Sequence, residues 1–259
     1  MRTLQGLLIL SLFATAAHAG AVLQVSSRDL PSGKAAPSEA YYAQDGMMRI
    51  DQLDARGSPD KVDLIRDGVI WEFNPQQRTY TRIDQATVKS YFGAQGGQFD
   101  AMLSKLPPEK RALMQARLAQ MQKPNKDDTF TDTGRDEQVG QYSCRVWQEQ
   151  RSAHPYAEYC VVSATSLPGG AELAVSMKKA FETADPIFGA APMLARNAEH
   201  LTRLESMKGF PVRWRYLSSS GKPERESLLT SAAAQALPAD KFAIPQGFTE
   251  KPLAGARND

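Results

Sequence analysis

Residues 41–52 read YYAQDGMMRIDQ and residues 61–73 read KVDLIRDGVIWEF, each placing an Asp-Gly pair between two runs of alternating residues. A two-residue hairpin turn needs positive φ at its central positions, which Asp and Gly tolerate better than most pairs. Tyr41 to Gln44 and Met47 to Gln52 are therefore read as one hairpin about Asp45-Gly46. Lys61 to Arg66 and Val69 to Phe73 form a second about Asp67-Gly68. Asn74-Pro75 opens a further turn before Arg78 to Ile83, which makes a meander of at least five antiparallel strands. Alternation puts Val62 and Leu64 on one side with Phe73 and Trp71, and Asp63 and Glu72 on the other. One face of this sheet is apolar.

Helical patterns then interrupt the strands. One region begins near Asp84 and continues through Leu106-Pro107-Pro108, where proline suits a first turn and Glu109 suits the helix dipole. Leu113, Met114, Leu118 and Met121 form its stripe. Leu173, Met177, Phe181 and Ala184 mark a second helix, and Leu194, Ala198, Leu201 and Leu204 a third that Lys208, Gly209 and Pro211 stop. Strands return at Gln141 to Gln150, Pro155 to Val162, Val212 to Leu217 and Glu224 to Thr230. The fold class expected is α+β, a curved antiparallel sheet with helices inserted between strands and packed on its apolar face.

The first 19 residues carry one positive charge at Arg2, an apolar run from Leu4 to Ala17 and a small-x-small site at Ala17-His18-Ala19. That order of features predicts a cleaved export signal over 1–19, a single domain over 20–259 and a periplasmic location. The run is too short for a transmembrane anchor. Removing Arg2 leaves 30 basic against 29 acidic residues, which offers no electrostatic footprint for nucleic acid. In an oxidising compartment the two cysteines, Cys144 and Cys160, are expected to pair. If Gln150 and His154 close the hairpin between them, Cys144 falls directly opposite Cys160, within bridging range.

Catalytic and metal patterns fare poorly. After signal removal only His154 and His200 remain, with no His-x-x-x-His, Cys-x-x-Cys or Asp-rich calcium loop, so no metal or cofactor is expected. Met47-Met48 is the only adjacent methionine pair, and alternation sends its members to opposite faces. Ser176-Met177-Lys178-Lys179 matches a Ser-x-x-Lys pattern, but Lys179 lies on the polar flank of its helix, where its amine stays charged. Gly93 to Gly97 lacks the Lys-Ser/Thr of a phosphate loop. Asp127-Asp128 and Asp132 are read as part of a polar connector. The chain is read as having no catalytic residues and no enzyme activity.

Asp45 to Ile83, with Trp71-Glu72-Phe73-Asn74-Pro75 leading to Thr79-Tyr80-Thr81, resembles the secreted bacterial family known as domain of unknown function 4412. Val139-Gly140-Gln141-Tyr142-Ser143-Cys144 and Gly209-Phe210-Pro211 through Phe248 resemble further stretches of it. The similar segments are 38–84, 134–163 and 209–249; helical insertions near 84–125 and 165–208 align loosely. The resemblance implies kinship in fold with the periplasmic lipoprotein carriers (LolA-like), whose half-barrel sheet wraps an apolar cavity under helices. It implies a binding function. Candidate lining residues are Trp71, Phe73, Trp214 and Tyr216 on strands, with Met114, Met121, Met177 and Met207 from the helical regions, whose thioethers adapt to variable ligands. Two expectations follow. Either the module holds a lipid or other apolar ligand, or the same scaffold has a solid core and presents a surface to an envelope protein partner.

Overall fold

The computed structural model of the protein describes residues 19–122, 129–189 and 205–253. Both Asp-Gly pairs turn as their chemistry demands, with φ of 55° and 72° at Asp45 and Gly46 and of 54° and 73° at Asp67 and Gly68. They join β2 (Ala35–Gln44) to β3 (Met47–Leu53) and β4 (Pro59–Arg66) to β5 (Val69–Asn74). β6 (Thr79–Ile83) completes the meander. β1 (Gly20–Asp29) precedes it, and Asp84 then caps α1 (Gln85–Ser104): its carboxylate accepts from the Thr87 N–H while the Thr87 hydroxyl accepts from the Asp84 N–H. After α2 (Pro108–Gln122) come β7 (Thr129–Val139), β8 (Tyr142–Arg151), β9 (His154–Ser163), α3 (Gly170–Gly189), β10 (Gly209–Leu217), β11 (Pro223–Gln235) and β12 (Thr249–Glu250).

The twelve strands of the described residues join one open, curved and mostly antiparallel sheet in the order β12-β6-β5-β4-β3-β2-β1-β11-β10-β9-β8-β7. Two of these strands carry weak sequence signals. β1 follows directly on the apolar run of residues 4–17, and β7 is an edge strand of polar residues, so Asp132 sits in a ladder and not in a connector, paired with Arg145 at 2.7 Å. Asp127 and Asp128 lie outside the described residues, as do the third predicted helix over 194–204 and residues 1–18 of the expected export signal. Among the described residues no helix is long and apolar enough to cross a membrane.

The cysteines pair, with Cα atoms 5.3 Å apart, but their register differs from the direct opposition expected. Arg151 and His154 close the turn on Ser152 and Ala153, a register shift follows between Glu149 and Gln150, and Val146 lies opposite Cys160. Cys144 is therefore bonded diagonally across the hairpin.

The second hairpin has the predicted register, Val62 opposite Phe73 and Leu64 opposite Trp71. What covers that face is a correction to the sequence reading. Helices α1 and α3 do not lie on it: Val62, Leu64 and Phe73 pack with Leu237 and Phe242 from the segment after β11, and Trp71, Ile244 and Phe248 border them. Polar ties hold this C-terminal strap. Arg49 and Arg66 donate to the carbonyls of Lys241 and Phe242, and the Lys241 ammonium stands 3.6 Å from the Tyr42 ring centre and 3.4 Å from the buried Asp51 carboxylate. The opposite face belongs to α3, whose Leu173, Ser176, Ala180, Ala184 and Ile187 are buried at helical spacing. Glu172 anchors its start by accepting from the Gly46 N–H and the Ser176 hydroxyl. Both faces are covered, and alternation alone does not say by what.

Candidate functional site: a cavity between helix and sheet

Two cross-strand rows floor the space beneath α3. One runs Tyr41, Ile50, Asp63, Glu72, and the other Met48, Ile65, Ile70, Ile83, each residue directly opposite the next. Above them α3 contributes Met177, Ala180, Phe181, Ala184 and Phe188, and the entry to β10 contributes Met207, Gly209, Phe210 and Pro211. Small residues at 180 and 184 leave room that a larger side chain would fill. The cavity measures about 520 Å³, within the size range of small-molecule sites. A second pocket of about 250 Å³ adjoins it and shares Met177, Phe181 and Gly209.

The lining is apolar except along one strip. Lys61, Asp63 and Glu72 all border the cavity, with the Lys61 ammonium 2.6 Å from Glu72 and 3.8 Å from Asp63. Burial, reinforced by the fields of Glu72 and Glu39, outweighs Lys61 and raises the Asp63 pKa to about 6. Burial works against the Lys61 charge too, but Asp63 and Glu72 more than offset it and its pKa rises. Beside the strip, the Tyr41 hydroxyl donates to Glu39 and its ring meets Phe210 edge-on at 5.5 Å. Burial first, and Glu39 second, hold that phenol well above its ordinary pKa.

Of the residues singled out from sequence, Met177 and Met207 line the cavity. Trp71 and Phe73 stand on the opposite face, beneath the C-terminal strap. Trp214 and Tyr216 join an aromatic cluster with Phe130, Trp147, Tyr156 and Tyr159, around Glu149, which is 1% exposed and accepts from Tyr159 and Arg151. Met114 is half-buried on α2, next to a Leu113 that is 70% exposed, so Leu113 is not packed as expected. Instead Arg111 ties α2 to α1, donating to the carbonyls of Leu103, Ser104 and Leu106. The side chain of Met121 is outside the described set.

The cavity floor itself was missed. Its signal lay in Ile50, Ile65, Ile70 and Ile83, β-branched residues on the face opposite Val62 and Leu64, which together mark a sheet apolar on both sides. Met47 and Met48 do part to opposite faces, Met48 toward the cavity and Met47 toward the strap. Ser176 is fully buried and bonded to Glu172, whereas Lys179 is exposed beside the Asp45-Gly46 turn. Among the described residues no group of three His, Cys, Asp or Glu side chains could hold a metal ion.

No family model matches the sequence, and comparison with curated proteins finds no match. Among solved structures, the chain is similar to an uncharacterized conserved protein from Thermus thermophilus at 8% identity and a TM-score of 0.45, covering 90% of each chain. It is similar to PNGF-II at 10% identity and a TM-score of 0.42, covering 90% of this chain and 31% of that one. A LolA superfamily protein from Nitrosomonas europaea gives 10% identity and a TM-score of 0.27, with 87% and 89% covered. These distant likenesses assign neither a family nor a ligand to the chain.

Proposed function

We propose that this protein is an exported, non-catalytic binding module that holds an apolar or amphiphilic ligand, of the lipid or acyl class, between α3 and the sheet. The observation that carries this reading is the cavity of about 520 Å³ with a largely apolar lining. A solid-cored interaction domain would have filled that space with side chains, because protein interiors pack closely and a void forfeits dispersion contacts. Export is supported by the charged, apolar and small-residue order of the leader and by the Cys144–Cys160 bond, since such bonds persist in oxidising compartments.

Native mass spectrometry of the protein purified gently from its own cell envelope tests the proposal. A stoichiometric adduct that leaves on denaturation and extracts as a lipid-like molecule is the expected result. A protein that flies bare, and stays bare after incubation with envelope lipids, overturns it in favour of a domain that works through a protein partner.

A further inference from the structure

Resting on the reading of the cavity as a ligand site, we infer that its ligand is a cationic amphiphile: an alkyl chain ending in an amine, with the amine against Asp63 and Glu72 and the chain between α3 and Ile65, Ile70 and Ile83. The argument begins with the register. Asp63 and Glu72 are direct cross-strand partners, a placement in which like charges repel and destabilise a sheet. One lysine serves both, and unequally: Lys61 is 2.6 Å from Glu72 but 3.8 Å from Asp63. The Asp63 side chain is 23% exposed and opens on an apolar space, so water compensates it poorly. Glu39, on the same face, adds a further negative charge to its field.

That balance discriminates between head groups. A carboxylate-ended chain would bring another negative charge into a strip where carboxylates already outnumber the ammonium. An alcohol would leave the excess charge uncompensated. An ammonium supplies positive charge and three N–H donors, which the two carboxylates are placed to accept. The raised pKa of Asp63 agrees: burial first, with Glu72 and Glu39 adding to it, outweighs the attraction of Lys61. The rest of the lining, with Ala180 and Ala184 overhead, suits an unbranched chain.

The test is isothermal titration calorimetry at pH 7 of protein freed of bound lipid, with decylamine, decanol and decanoate, on the wild type and on an Asp63→Asn/Glu72→Gln double variant. Decylamine is expected to bind about tenfold tighter than decanol, as a charge-assisted hydrogen bond to the mostly buried Asp63 implies, and decanoate weakest. In the double variant the amine loses this advantage over decanol, and a circular dichroism spectrum like the wild type's with a urea midpoint no lower shows that the variant is folded. An amine advantage that survives in the folded variant overturns the role of the two carboxylates. Decanol or decanoate binding the wild type as tightly as decylamine overturns the cationic head group and leaves the apolar site standing. Failure of all three to bind overturns the site itself.

Discussion

Replacing Asp63 with asparagine should make the protein more stable, and only above a defined pH. The folded-state pKa of Asp63 is raised from 3.8 to about 6, chiefly because burial disfavours its charge. Between those values the folded chain binds a proton that the unfolded chain has released, so stability falls as pH rises from about 4 to about 6 and then levels off. A shift of about two units corresponds to about 3 kcal/mol, at 1.36 kcal/mol per unit, as an upper limit for a side chain that keeps some contact with water. Asparagine mimics the protonated acid and removes this penalty. Urea denaturation followed by fluorescence of the three tryptophans would give the difference between variant and wild type. Taking that difference cancels the other acidic groups. The variant should gain up to about 3 kcal/mol at pH 8 and nothing beyond a few tenths at pH 3.5, with an unchanged slope against urea. An equal difference at both pH values, or a loss at pH 8, would refute the account of Asp63 as an uncompensated charge.

Replacing Cys144 and Cys160 together with alanine should cost about 3 kcal/mol by the chain-entropy estimate for a loop of this size, read as a lower urea midpoint. Phe242→Ala should cost about 3 to 5 kcal/mol, because that ring is 1% exposed against Val62, Leu64 and Phe73. It should also render the strap after residue 236 sensitive to limited proteolysis while ligand uptake beneath α3 persists, since the two lie on opposite faces of the sheet.

Local chemistry was legible in the sequence where one residue type answers one geometric demand. The Asp-Gly pairs fixed the two hairpins and their register, and the spacing of Leu173, Met177, Phe181 and Ala184 located α3. β7 escaped because an edge strand needs no apolar face: its carboxylates are matched by Arg145 and Arg135, not buried. The cysteines were paired correctly but placed two positions out of register: the turn closes on Arg151 and His154, one position from the pair expected, and the bulge between Glu149 and Gln150 adds the second, neither with a residue signature of its own. The site was half legible. Alternation separated Val62, Leu64, Trp71 and Phe73 from Asp63 and Glu72, yet the apolar set went beneath the strap and the mixed set beneath the helix. Which cover takes which face depends on contacts between residues nearly two hundred positions apart, such as Asp51 with Lys241, and no short window contains them.

The position of β1 sets an order of events for the chain as it folds. It lies between β2 and β11, and the hydroxyls of Ser27 and Ser227 meet at 2.7 Å across 200 residues of sequence. The meander from β1 to β6 can form early from neighbouring segments, but its outer edge stays unpaired until residues 223–235 have emerged. Contacts between such distant segments make folding slow, and an open edge in the meantime is a template for strands of other chains. That edge stays open to mispairing until β11 arrives, and once the β1–β11 ladder closes, a central seam of the sheet ties together segments some 200 residues apart.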